Sequence, residues 1–377
     1  MKRFLSFAMA LALFAALWMP SYAVSTYASC AILMDADSRR ILYAQNIHEK
    51  RLIASITKLM TALVAAEHTD DLDELVTIQP HWLGSEGSSI YLKAGEKITM
   101  KGLLYGLLLQ SGNDAAMAIA CHLAGDEASF VAMMNKRAHE LGMDHTKFAN
   151  PSGLNHEDHY STAYDMALLA IACLENETVA EICATQCATV GTRTFYNHNK
   201  LLHRYEGCVG MKTGYTEKAG RTLVSAAKRD GRTLICVTLN DGNDWNDHEK
   251  LLDYGFEEYA SQVLCEQGQI FGAVKINGSI IPAVSAVAAE RVSFPLMAGE
   301  ELECSIDLVD EAQAPVRAGD AVGRVTWRLK GQAVAMVELV CADGAGADTV
   351  DPEQPSRWFS RWLGRHTAAF RPGAQLI

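Results

Sequence analysis

Ser55 and Lys58 stand one helical turn apart at the start of an apolar pattern, Ile56 to Glu67, that repeats with helical spacing. That spacing predicts a hydroxyl and an amine on one face, near the positive end of the helix dipole. A serine hydroxyl attacks a carbonyl only after a base takes its proton. Lysine serves as that base only when burial or a neighbouring positive charge lowers its pKa. Taken alone, the pair reads more readily as a helix-start serine followed by an exposed lysine.

Two further elements change that weighing. Ser111-Gly112-Asn113 fills a polar gap between two helical patterns and holds a hydroxyl and an amide at a loop tip. The serine could relay a proton toward a leaving amine, and the amide could hold a substrate carbonyl. The plain alternative is a connector with Asn113 as N-cap. Lys212-Thr213-Gly214 opens a group of strands. There a cation and a hydroxyl could line a cleft suited to a terminal carboxylate, and glycine permits close backbone approach. Each element is ordinary by itself; the three in this order point to acyl transfer by Ser55.

Together they resemble the three signatures of the penicillin-binding serine D-Ala-D-Ala carboxypeptidases. Asn150-Pro151-Ser152-Gly153-Leu154, His159 to Asp165 and Asp253-Tyr254-Gly255-Phe256 are similar to the same family. The resemblance implies that Ser55 attacks the peptide carbonyl between two D-alanines while Lys58 accepts its proton. D-alanine leaves, and water releases the shortened peptide. It further implies Ser111 as proton relay, Asn113 as ligand of the substrate amide, and Lys212 with Thr213 as the carboxylate-binding pair. The backbone amides of Ser55 and of Tyr215, beside Gly214, are implied as the oxyanion hole. The implied partners are peptidoglycan stem peptides ending in D-Ala-D-Ala, and β-lactam antibiotics that mimic that end and acylate Ser55. No cofactor and no metal are implied.

One departure stands out. Some relatives place an arginine beyond the last sheet strand to help hold the carboxylate, whereas this loop reads Asn240-Asp241-Gly242-Asn243-Asp244-Trp245. Arg221 and His198 are both open as substitutes. His156-Glu157-Asp158-His159 is one residue short of a His-Glu-x-x-His zinc pattern and reads as a polar loop bordering the cleft. A β-lactamase of the same fold needs a glutamate with a positioned water, for which Glu157 is the candidate. A non-catalytic cell-wall binding protein is the rival of another class, and the intact Ser55, Lys58, Ser111 and Lys212 argue against it.

The elements that must position these residues follow from periodicity. Cys30 to Met34 and Ile41 to Ala44 predict a hairpin across Asp35-Ala36-Asp37-Ser38. Helical patterns cover Met100 to Leu109 after an N-cap Thr99, Asp114 to Leu123, Ser129 to Leu141, and a run from a Thr162/Asp165 capping box through Cys173. Arg221 to Ala227 and Arg232 to Leu239 predict a second hairpin about Asp230-Gly231, and a helix is expected near His248 to Leu264. Strands, helices, then strands again predict an α/β (α+β) fold. It is an antiparallel sheet carrying a helical insertion, as in DD-peptidases and β-lactamases, followed by a small all-β C-terminal domain. In that last region Leu302, Cys304, Ile306 and Leu308 alternate with polar residues, and Val322 to Leu329 and Ala333 to Val340 are further strand candidates.

Across the 377 residues the expected organisation is a signal peptide 1–23, a catalytic domain 24–264, a β-rich domain 265–342, a linker 343–355 and an amphipathic tail 356–377. Lys2 and Arg3, the apolar run Phe4 to Trp18, and Ser21-Tyr22-Ala23 form the export signal. The tail sets Arg357, Arg361 and Arg365 beside Trp358, Phe359, Trp362 and Leu363, a pattern for lying on a membrane surface. The expected location is the outer face of the cytoplasmic membrane or the cell wall. A net charge of −12 excludes nucleic acid as a partner, since that requires clustered cations. The ten cysteines lack a repeating spacing, and several lie in apolar patterns (Cys121, Cys173, Cys236), so most read as small buried hydrophobes. Asp244-Trp245-Asn246-Asp247-His248 resembles carboxypeptidases of spore-forming bacteria.

Overall fold

The computed structural model describes residues 24–347. The expected signal 1–23 and tail 356–377 lie outside the described residues. The chain divides into two compact units between Ala260 and Ser261.

In the first unit, β1 (Cys30–Asp35) is apolar and buried along its whole length, as a strand covered on both faces must be. β2 (Ile41–Gln45) returns antiparallel to it at the sheet edge. Asp35 caps the intervening turn by accepting the Ser38 backbone N–H and Oγ–H. The chain then leaves for a helical insertion that includes two small antiparallel pairs, β3 (Leu75–Thr77) with β4 (Lys97–Thr99) and β5 (Cys187–Val190) with β6 (Arg193–Tyr196). It returns with β7 (Cys208–Thr216), β8 (Gly220–Arg229) and β9 (Arg232–Leu239). The sheet order is β2-β1-β9-β8-β7, antiparallel throughout, with Ile32 opposite Val237 where the two strand groups join.

The insertion packs on one face of this sheet. Its central helix, Lys58–Glu67, is buried from Lys58 through Ala65. A helix apolar on every side can only sit inside a core. Leu59, Met60, Leu63 and Val64 each remove roughly 1.5–3 kcal/mol worth of apolar surface from water. Thr99 accepts from Gly102 N and Asp126 from Ser129 N, so those helices start on side-chain caps. Against the other face lies the helix Asp244–Glu258, whose Leu251 and Leu252 are fully buried. The buried pair Arg232–Asp35 (2.7 Å) ties sheet to helix, because Arg232 Nη1 also reaches Gly255 O and Tyr259 O.

Several sequence expectations are corrected. The helix placed near His248 to Leu264 runs Asp244–Glu258 and is followed by strand β10 (Tyr259–Cys265). The apolar run had hidden that change of period. Only half of the Thr162/Asp165 box forms. Thr162 accepts Asp165 N, but the Asp165 carboxylate turns to His145 N and Thr146 Oγ1 instead.

The second unit is built from strands. β11 (Ile270–Asn277), β12 (Ala283–Ala288), β14 (Leu302–Leu308), β15 (Glu311–Gln313), β16 (Ala321–Leu329) and β17 (Gln332–Cys341) make one sheet in the order β14-β16-β17-β12-β11-β15. β13 (Val292–Met297) pairs with β10. Val325, Trp327, Val337 and Leu339 centre its core. The alternation in β14 does not bury a face at mid-strand, where Cys304 and Ile306 are exposed because β14 is the sheet edge. Ala345, within the expected linker, bridges to Val316 and is buried.

Candidate active site

Ser55 lies in a single 3-10 turn, Ala54–Thr57, and the α-helix proper begins at Lys58. Two supports press this turn into place. Gly153 has φ 86, and a Cβ there would collide with the Ala54 carbonyl, so the Asn150–Leu154 segment can pack this close only with glycine. Thr57 Oγ1 donates to Ala54 O (2.8 Å) and contacts His159 Nε2 (2.7 Å). Ala149 N–H donates to His159 Nδ1, which places the proton of a neutral ring on Nε2, facing Thr57. Burial lowers the His159 pKa to about 4 and keeps the ring neutral. The polar loop expected around His159 is therefore buried at this end, while His156 is exposed.

Lys58 Nζ is fully buried and meets three groups: Ser55 Oγ at 2.9 Å, Asn113 Oδ1 at 2.7 Å and Ser152 O at 2.5 Å. Asn113 Nδ2 donates to Glu86 O, which fixes the amide with Oδ1 toward the lysine. Burial, and then the nearby Lys212 cation, push the Lys58 pKa well below the lysine range; Asp114 opposes the shift. Asp114 is itself held by Ile90 N, Leu92 N and Ser89 Oγ.

Asn113 is the first residue of the helix Asn113–Ala124, and Gly112 occupies the N-cap position, so the N-cap alternative for Asn113 is set aside. Ser111 is nearly buried with φ 60, a left-handed conformation that costs a non-glycine residue about 1–3 kcal/mol. Its side chain lines the cleft with Ser55 but makes no hydrogen bond to Lys58 or Lys212 among the described residues.

Lys212 is also buried. Its Nζ donates to Thr213 O (2.9 Å), and burial brings its pKa down to about 8. It stands behind the cleft wall, whereas Thr213, Gly214 and Tyr215 line the cleft. A Cβ on Gly214 would lie 2.9 Å from Ser55 N and collide with Thr222 Oγ1, so β7 and the Ser55 turn touch through this missing side chain. The cleft encloses about 310 Å³, and its remaining wall carries Ser88, His198, Lys200, Arg221, Asp244 and Trp245. A second cavity of about 680 Å³ lies on the other side of Lys58's partners, lined in part by Asn113, Asn150, Ser152, Leu154 and His156. Glu157 is exposed and lines neither.

The structure thus brings Ser55, Lys58 and Asn113 into direct contact and gathers Ser111, Thr213, Gly214 and Tyr215 around one cleft. Ser152, through its carbonyl, and Asp244, through Arg221, were not assigned roles from sequence. A backbone acceptor and a loop carboxylate leave no spacing signal. Among the described residues no group of His, Cys, Asp or Glu is arranged to hold a metal.

A family profile for D-alanyl-D-alanine carboxypeptidase matches residues 19–243. The chain belongs to the D-alanyl-D-alanine carboxypeptidase family. A second profile, the C-terminal domain of penicillin-binding protein 5, matches residues 259–345. The chain is 32% identical over 323 residues to D-alanyl-D-alanine carboxypeptidase DacF of Bacillus subtilis, covering 82% of this chain and 83% of that protein. It is 33% identical over 337 residues to DacC of Escherichia coli, covering 84% of each. Among solved structures, penicillin binding protein 5 of Haemophilus influenzae matches with a TM-score of 0.76 at 28% identity, covering 85% of this chain and 98% of that one. As a member of the carboxypeptidase family the chain is a serine-type hydrolase, with the expected antiparallel sheet, helical insertion and all-β C-terminal unit.

Proposed function

We propose that this protein removes the terminal D-alanine from peptidoglycan stem peptides through an acyl-enzyme on Ser55, and that penicillins acylate the same oxygen. The observation that carries the assignment of Ser55 is the set of partners around Lys58 Nζ. Asn113 Oδ1 and Ser152 O can only accept. A neutral amine spends its two N–H groups on them and leaves its lone pair for the Ser55 hydroxyl proton, 2.9 Å away.

In this reading Ser55 Oγ attacks the carbonyl carbon of the penultimate D-alanine as Lys58 takes the proton. The backbone amides of Ser55 and Tyr215 stabilise the developing oxyanion. Ser111 relays that proton from Lys58 to the leaving nitrogen, the C–N bond breaks, and D-alanine departs. Lys58, neutral again, takes a proton from the water that attacks the ester and returns it to Ser55 Oγ as the ester C–O bond breaks. Lys212 and Thr213 attract the substrate carboxylate, and Asn113 borders the peptide amide. The exposed Glu157 supports this reading over a β-lactamase, because a deacylating carboxylate must hold a water against the ester. The proposed setting is outside the cytoplasm, with export by residues 1–23, a catalytic domain 24–264, a β domain 265–342 as spacer, a linker 343–355 and surface attachment by 356–377. No helix among the described residues is long and apolar enough to cross a membrane. Deleting residues 356–377 is expected to move the exported protein to the soluble fraction, and unchanged fractionation refutes the attachment.

Incubation with a labelled penicillin, wild type beside Ser55→Ala, followed by measurement of released D-alanine, tests the enzyme reading. Wild type is expected to label and to release D-alanine, and the variant to do neither. A wild type inert in both assays refutes it.

A further inference from the structure

Asn113 serves Lys58 only while its amide keeps one orientation. Its Oδ1 accepts an N–H of Lys58 at 2.7 Å, and its Nδ2 donates to Glu86 O. A flipped amide would aim Nδ2–H at the lysine, repel the protonated amine and occupy the lone pair that the Ser55 proton needs. The Glu86 carbonyl therefore decides which end of the amide meets the base. It lies in an exposed stretch, Glu86-Gly87-Ser88, which passes directly over Asn113: a Cβ on Gly87 would lie 3.0 Å from Asn113 Nδ2. Exposed backbone holds such a position only if its neighbours are tied down.

Two clamps tie this loop. From the inside, Ser88 O accepts Asn113 N at 2.7 Å, and the Asp114 carboxylate accepts Ile90 N, Leu92 N and Ser89 Oγ–H at 2.9, 3.0 and 2.7 Å. From the outside, Arg193 reaches across from β6. Its guanidinium donates to Ile90 O, to Tyr91 O at 3.3 Å and, from Nε and Nη2, to the two oxygens of Glu96 at 2.8 and 2.9 Å. Glu96 is fixed in its turn, since its carboxylate accepts Lys93 N and its carbonyl accepts Ile78 N. Tyr91, between the two clamps, is exposed and has φ 59, so hydrogen bonds rather than packing hold the turn in this left-handed conformation. No residue of β5 or β6 lines the cleft.

We propose that Arg193 is a positioning residue for the acylation of Ser55: it holds the Glu86 to Tyr91 loop over Asn113 and so keeps the Asn113 oxygen on Lys58. The inference rests on the carboxypeptidase reading. A planar fork suits the task because it joins one carboxylate and two backbone carbonyls at fixed angles, which a lysine cannot do. The groups that bear electrostatically on Lys58, namely Lys212, Asp114 and His159, stay in place when Arg193 is removed.

The test follows the rate of acylation by a labelled penicillin against pH for wild type, Arg193→Ala, Arg193→Lys, Asn113→Ala and the double variant Arg193→Ala/Asn113→Ala. Arg137→Ala is the control, since it removes an ion pair with Glu67 of similar exposure in the same unit. Arg193→Ala is expected to slow acylation roughly 10- to 100-fold with the half-saturating penicillin concentration little changed. Its acid limb should move to lower pH, because the protonated amine loses an acceptor. Arg193→Lys recovers part of the rate, Asn113→Ala shows a limb displaced the same way, and the double variant shows no further displacement. Arg137→Ala keeps the wild-type rate and limb. Wild-type kinetics in Arg193→Ala, or a slower rate with the limb unmoved, overturn the assignment while leaving the carboxypeptidase reading in place. A wild type that captures no labelled penicillin overturns both.

Discussion

Lys58 Nζ sits 2.9 Å from Ser55 Oγ in a fully buried site whose two other contacts, Asn113 Oδ1 and Ser152 O, are pure acceptors. Burial makes the charged amine unfavourable, and the geometry leaves one direction for its lone pair, so the site is arranged for a base.

Replacing Lys58 with Met keeps the volume and removes that base. The expected result is a loss of about 10²–10⁴-fold in the rate of acylation by labelled penicillin, with the fold retained. Labelling at the wild-type rate would assign the proton transfer elsewhere.

Lys212 is expected to give the pH profile an alkaline limb. Its pKa, near 8, lies below the ordinary lysine value, so it is charged below about pH 8 and neutral above it. Carboxylate binding should weaken as the charge is lost, with KM for a D-Ala-D-Ala acid rising above that pH. In Lys212→Met the KM should be higher at every pH and should not rise at this point. A profile that keeps the limb in the variant assigns it to another group.

Gly214 and Gly153 should fail in different ways. Alanine at 214 pushes on the Ser55 amide and Thr222, so acylation should fall roughly 10²-fold, the scale of losing one oxyanion donor, in a folded protein. Alanine at 153 meets both a left-handed backbone and the Ala54 carbonyl, so it should cost at least about 1–3 kcal/mol in urea unfolding. Wild-type values in both measurements would contradict the contacts.

Acid should destabilise the catalytic unit through its buried histidines. His248 is held between Ser225 Oγ and Thr238 Oγ1, and burial lowers its pKa to about 3; that of His159 is about 4. Both are depressed, so below the unfolded value near 6.5 the unfolded chain binds protons that the native state refuses. Each should remove about 1.4 kcal/mol per pH unit as pH falls from there toward its native pKa. Asp241, raised to about 6 by burial, works the other way, because the native state takes up its proton first. Two histidines outweigh one aspartate. Urea unfolding across this range should show His248→Gln losing stability less steeply than wild type, and parallel slopes would exclude His248.

The sequence by itself determined which residues could carry the chemistry and much of the framework. Apolar runs bounded by turn residues at Cys30 to Ala44 and Arg221 to Leu239, and a helical block between them, are local patterns that survive folding because the central strands are buried on both faces. The serine, lysine and glycine motifs were legible because hydroxyl, amine and bare backbone have no substitutes at those points. Tertiary structure decided everything that depends on approach between distant segments. It turned Lys58 inward to Ser152, set Lys212 behind the cleft wall, put Gly153 against Ala54, and fixed Arg221 on Asp244. Helix ends also moved, since the boundary at Glu258 depends on neighbouring strands and backbone acceptors rather than on composition. A spacing along the chain can place a hydroxyl and an amine on one face. Only packing can take away the water that keeps the amine charged.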